Sequence, residues 1–173
     1  MLMAIEDTLK ELSHWFDDPG PGVDRPKLLS KLAVLELCGW IEGEFDRLAM
    51  LAEKKSLNDS DWVQRNVTAN TSGFKYLEHW RPMLTKLVGE SIARRIEKRL
   101  YDSSPADMEQ LKSLLGTLWT LRCAFAHGDL VANQQAAQVF NAPTWTINQH
   151  RIIKKIIDRY EQAMLAELAA IWQ

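Results

Sequence analysis

The run from Ser104-Pro105-Ala106-Asp107-Met108 to Arg122-Cys123-Ala124-Phe125-Ala126-His127-Gly128-Asp129 predicts one helix with both of its ends written into it. Ser104 is a good N-cap, Pro105 suits the first helical position, Asp107 complements the positive end of the helix dipole, and Gly128 is a natural stop. Met108, Leu111, Leu115, Leu118 and Phe125 follow at spacings of three and four, and the place between Leu118 and Phe125 is expected to fall to Arg122. That puts an arginine on the core-facing stripe. A second stripe, Ser113, Gly116, Thr120 and Cys123, consists of small residues and ends at His127. Small side chains let another backbone come close, so this face is expected to receive a helix neighbour.

Arg122 and His127 stand five residues apart, which on a helix means about 140° of rotation and roughly 7.5 Å of rise. Helical register alone does not bring them to one point. Either the helix end distorts at Gly128, or a second copy of the helix completes the site. Arg122-x-x-x-x-His127 followed by Gly128, late in a small helical chain, resembles the HEPN superfamily, whose signature is an arginine, a short spacer and a histidine. The resemblance implies a metal-independent endoribonuclease with Arg122 and His127 as its catalytic residues, brought together across a homodimer interface. It also implies a toxin of the toxin–antitoxin or phage-defence kind, with an antitoxin or neighbouring defence protein as partner. Cys123 follows the arginine, where the family commonly carries asparagine, and is a candidate supporting residue.

A chain of 173 residues is most simply one domain, large enough for a genuine core. Cys38 and Cys123 are its only cysteines, and no cationic, apolar leader opens it, so a reducing cytoplasm is the expected setting. No apolar run approaches the roughly 20 residues that cross a membrane. A net charge of -2 argues against indiscriminate nucleic-acid binding but leaves room for a local basic patch.

Ahead of the Ser104 helix, the pattern predicts helices over Ala4 to Phe16, Pro26 to about Lys55 and a short one opened by Asn58-Asp59-Ser60-Asp61. Phe74 to Leu87, interrupted at Pro82, and Ser91 to Leu100 follow. The long second helix carries Leu28, Leu32, Leu35, Leu37, Ile41, Phe45, Leu48 and Leu51, with Gly39 and Gly43 spaced to admit a close helix. Glu36 stands inside its apolar run: it either faces solvent or pairs with a core arginine such as Arg122. Arg94, Arg95, Lys98 and Arg99 give the Ser91 helix a basic edge, which is either a solvated face or an RNA contact. Beyond Gly128, Asp129 to Trp145 lacks a clear period and is a candidate wall or lid, with Asp129 placed either to orient the His127 imidazole or simply in a surface loop. Thr146 with Gln149 resembles a capping box for a last helix with a broad apolar face from Ile152 to Ile171. No strand-like alternation occurs. The expectation is an all-α, single-domain helical bundle of about five to seven helices.

His14, His79, His127 and His150 are far apart in sequence and no cysteine neighbours a histidine, so no metal-ligand spacing is present. Neither a glycine-rich phosphate loop nor a Gly-x-Ser-x-Gly elbow occurs, and no cofactor is expected. What remains is acid–base chemistry without a metal; on RNA, the substrate that the resemblance implies, the 2′-hydroxyl attacks its adjacent phosphate. Histidine supplies a base near neutral pH, and arginine a fork for the charge that develops on the phosphate. The alternative is a catalytically inactive HEPN-like helical domain that serves as a binding or assembly module.

Overall fold

The computed structural model describes residues 4–18, 20, 22, 24–56, 59–127 and 142–171. All regular structure among them is helical, in keeping with the periodicity. The helices are α1 (Ile5–Asp17), α2 (Arg25–Ser56), α3 (Ser60–Val63), α4 (Arg81–Val88), α5 (Glu90–Ser103), α6 (Pro105–His127) and α7 (Pro143–Ile171). Two π-helical turns, Gln64–Thr68 and Tyr76–Trp80, extend α3 and lead into α4. Among the described residues no helix is long and apolar enough to cross a membrane.

Local chemistry explains most boundaries. Asp59 caps α3, its Oδ1 accepting the Trp62 N–H at 3.0 Å. The interruption expected at Pro82 is a change of helix type: Trp80 N–H bonds to Lys75 O at 3.2 Å, the wide π turn, and Pro82 then sits near the start of α4, where its missing N–H is tolerated. Gly89, at φ 80, turns the chain from α4 into α5 in a conformation that L side chains rarely take. Pro105 opens α6 as expected, with the Ser104 carbonyl accepting the Asp107 N–H at 3.1 Å. The last helix starts earlier than its expected capping box. Pro143 is its first residue, a position that suits a pre-set φ, and Thr146 is a buried residue inside the helix, 1 % exposed.

The chain packs as two compact units, residues 1–40 with 117–152 and residues 41–116 with 153–173; the division falls within α2, α6 and α7. In the first, Leu9 and Leu12 of α1 cluster with Leu29 and Ala33 of α2, joined by Ile5, Phe16 and Ile147. Cys38, buried, sets its thiol 3.8 Å from the Leu118 carbonyl. In the second, Phe45 of α2 stacks on Trp80 at 4.8 Å and 11°, and Trp80 meets Tyr160 of α7 edge-on at 5.7 Å. Phe45 and Trp80 are 2 % and 0 % exposed. Stacked and edge-on aromatic pairs add about 0.5–1.5 kcal/mol each to what their burial contributes.

Burial departs from the sequence periodicity at three places. On α6, Leu121 and not Arg122 continues the core stripe: Leu118, Leu121 and Phe125 are all buried, and the spacing three-then-four serves as well as four-then-three. On α2, the buried face runs through Ala33, Val34, Leu37, Cys38, Ile41, Phe45, Leu48, Ala49 and Ala52, so Leu28 and Leu32 are exposed at 51 % and 40 %. Among the described residues, no helix packs closely against the glycines of α2 and α6. A Cβ built at Gly39, Gly43 or Gly116 meets no described atom within 4 Å, and Ser113 and Thr120 are exposed.

These burials set the sign of a simple comparison. Phe45→Ala should lower unfolding stability by about 3–5 kcal/mol, the usual cost of an emptied aromatic core site. Leu28→Ala should change it by no more than about 0.5 kcal/mol. Urea denaturation followed by circular dichroism measures both; equal losses would mean that α2 faces the core with its other side.

Candidate functional site

The C-terminal turns of α6 carry Arg122, Cys123 and the backbone of His127. Arg122 is half-buried, and its guanidinium carbon lies 5.2 Å from the centroid of the Trp119 ring, one turn earlier on the same helix. That distance is within the range of a cation–π contact, which positions the guanidinium beside the helix. Cys123 is half-buried. The His127 side chain, Gly128 and Asp129 lie outside the described residues, as does most of the expected lid, 128–141. Glu36 takes the solvent-facing one of its two expected placements. It is exposed on α2 and makes no ion pair among the described residues, because burial of positions 33, 34, 37 and 38 turns position 36 outward. In the same unit the pattern passed over a buried histidine: His150, 1 % exposed, meets the Trp40 ring edge-on at 4.5 Å.

The basic edge of α5 is built differently from a row of free cations. Arg94 Nε donates to Glu90 Oε1 at 2.7 Å, and Lys98 Nζ to Asp102 Oδ2 at 2.6 Å. Arg99 reaches across to α7, where its Nε and Nη2 both lie 2.7 Å from Glu167 Oε1, and Arg95 Nε lies 3.5 Å from Glu167 Oε2. Glu167 is 8 % exposed. A carboxylate so placed is costly unless paired, and here two arginines pair with it. On α7, Arg159 forms a further pair with Asp107 of α6.

A second polar cluster joins the aromatic column of the same unit. The Tyr76 hydroxyl donates to Glu97 Oε1 at 2.9 Å and lies 3.3 Å from the Tyr160 hydroxyl. Since the Tyr76 proton is committed to the carboxylate, Tyr160 is left to donate to Tyr76. Arg81 Nε donates to the same Glu97 oxygen at 3.2 Å, and its two Nη atoms fork onto Glu90 at 2.9 and 2.7 Å. Burial, then the neighbouring Tyr160 hydroxyl and Glu97, push the Tyr76 hydroxyl well above the usual phenol range. It stays protonated and acts as a donor. The hydrogen bonds from Arg81 and Arg94 hold the Glu90 carboxyl down at about 2.

Among the described residues, no group of three or more His, Cys, Asp or Glu side chains is gathered where it could hold a metal ion. No family model, curated protein or solved structure matches the chain.

The Glu90 fork has a pH signature. A carboxyl depressed from 4.5 to about 2 on folding contributes stability that is complete above its unfolded value and is lost as pH falls toward 2. Glu90→Gln should therefore melt below the wild type at pH 7, and the gap should narrow steadily from about pH 4.5 downward. A gap that is constant from pH 7 to pH 2 would mean that Arg81 and Glu90 are not paired in solution.

Proposed function

We propose that this chain is a HEPN-type, metal-independent endoribonuclease of the toxin or phage-defence kind, acting as a cytoplasmic homodimer with RNA as substrate and Arg122 and His127 as the catalytic pair. The observation that carries the reading is the end of α6. A 23-residue helix, in a chain whose regular structure is all helical among the described residues, runs to His127, with Arg122 half-buried five residues before it. In this mechanism the His127 imidazole takes the proton of a ribose 2′-hydroxyl. The hydroxyl oxygen attacks the adjacent phosphorus, and the 5′-oxygen of the next nucleotide leaves with a proton. The Arg122 fork stabilises the additional negative charge on the phosphoryl oxygens.

The cation–π contact of Arg122 with Trp119 favours a second reading, in which Arg122 is structural and the chain is an inactive HEPN-like binding or assembly module. Incubation with RNA in chelator separates the two. Under the first reading, cleavage falls by about 10²- to 10⁴-fold in His127→Ala, with a comparable loss in Arg122→Ala and helical content unchanged. Arg122→Lys should also be poor, since a point charge does not replace a planar fork. No cleavage of any RNA by the wild type supports the module.

The dimer is tested at Gly116. A Cβ there meets no described atom of its own chain within 4 Å, so Gly116→Leu should leave the protomer folded. If two copies of α6 approach along the small-residue stripe, the same substitution should separate them and abolish cleavage. Light scattering reads the mass. A wild type that cleaves as a monomer would exclude a shared cleft.

A further inference from the structure

Three open depressions adjoin one another along α5, all within the unit formed by residues 41–116 and 153–173. One, of about 510 Å³, is lined by Arg95, Lys98, Arg99 and Ser103 with the carboxylates of Asp102 and Glu167. A second, of about 380 Å³, shares Arg99 and Ser103 with it and continues to Arg159 and Gln162 of α7. A third, of about 400 Å³, shares Lys98 with the first and is lined by Leu77 and Tyr101 together with two ion pairs, Arg81 with Glu97 and Lys112 with Glu109.

The cations of this path are held in place without being used up. Glu167 takes the Nε edge of both arginines, and the Arg95 and Arg99 side chains remain 52 % and 49 % exposed. Their other guanidinium N–H groups stay available, since a guanidinium carries more donors than one carboxylate accepts. Two arginines against one carboxylate leave a local positive charge, whereas Lys98 with Asp102 and Arg159 with Asp107 are neutral pairs. Attraction here is short-ranged and directional. Beside Lys98 the character changes: Tyr101 and Leu77 are exposed at 53 % and 65 %, a ring and an apolar side chain that no packing requirement puts in water. Two anion-binding forks with an exposed ring in the adjoining depression match a single nucleic-acid strand, which offers phosphates and an unpaired base side by side. An acidic peptide offers carboxylates but no repeated planar face.

We propose that α5 and α7 form a single-stranded nucleic-acid site, with backbone phosphates held by the Arg95 and Arg99 forks and a base stacked on Tyr101. Glu167 acts as a positioning residue beneath the two arginines. The site deepens the ribonuclease reading by giving the substrate strand a track, and it rests on that reading only for the choice of RNA as the natural strand.

The test is fluorescence anisotropy of a fluorescein-labelled oligothymidylate with the full chain. That strand carries no 2′-hydroxyl, so the readout is blind to the Arg122 and His127 chemistry, and failure here leaves that reading standing. At physiological salt the dissociation constant should fall at about 10⁻⁴–10⁻⁶ M, with a logarithmic salt slope of about -1.4 for two phosphate contacts. Arg95→Ala with Arg99→Ala should weaken binding about tenfold or more, and Arg99→Lys alone should weaken it although the charge is kept. Tyr101→Ala should weaken it about fivefold or more, while Tyr101→Phe, which keeps the ring, should bind like the wild type. Lys154→Ala, an exposed cation of the same unit paired with Asp158, should change binding less than about twofold by the same electrostatic reckoning. Any of three results would overturn the site: no binding, the same loss in Lys154→Ala as in the arginine variants, or full competition by an oligoglutamate. Unchanged binding in Tyr101→Ala would remove the base from it.

Discussion

Glu97 is the group on which the larger unit turns. Its Oε1 accepts from the Tyr76 hydroxyl and from Arg81 at once. Tyr76 in turn accepts from Tyr160, whose ring meets Trp80 edge-on, and Trp80 stacks on Phe45. The apolar column could not bury two phenols without an acceptor at its end, because a buried hydroxyl with no partner costs about 1–3 kcal/mol. One carboxylate on α5 satisfies that demand and thereby fixes α5 against the π turn, α4 and α7. The grooves that line α5 follow from that fixture.

On the same helix, two arginines stay about half exposed while paired with one carboxylate. Surface pairs such as Lys98 with Asp102 contribute little to stability. The pair of arginines on the nearly buried Glu167 is different in kind, since removing the carboxylate would leave two cations crowded at one spot. The last described turns of α6 offer another arrangement, with Arg122 held over an indole ring and His127 five residues on. Under the proposed function, strand recognition and strand chemistry fall to different residues and are separable by mutation.

Much of this was legible in the sequence and some was not, for identifiable reasons. Helix periods, Pro105, Gly89 and Asp59 are local signals, so the all-α class and most boundaries follow from nearest neighbours. The Leu121 correction shows where a period is ambiguous: on a 3.6-residue helix both three and four return to the same face. Glu36 and Glu167 present the same signal, an acid inside an apolar run. Only Glu167 is buried, and its partners Arg95 and Arg99 lie on another helix, with Arg99 68 positions away. No local pattern carries that pairing. Tyr76 with Glu97 and Tyr160 is hidden in the same way, as a contact made by packing among the π turn, α5 and α7.

The claim that Arg122 and His127 direct a 2′-hydroxyl at its own phosphate is tested most directly by the ends of the RNA fragments. Mass spectrometry of a defined oligoribonucleotide after incubation in chelator reads those ends. The account requires 2′,3′-cyclic phosphate, or the 3′-phosphate it hydrolyses to, on one fragment and a free 5′-hydroxyl on the other. Fragments ending in 5′-phosphate and 3′-hydroxyl, or cleavage that occurs only when magnesium is restored, would contradict it.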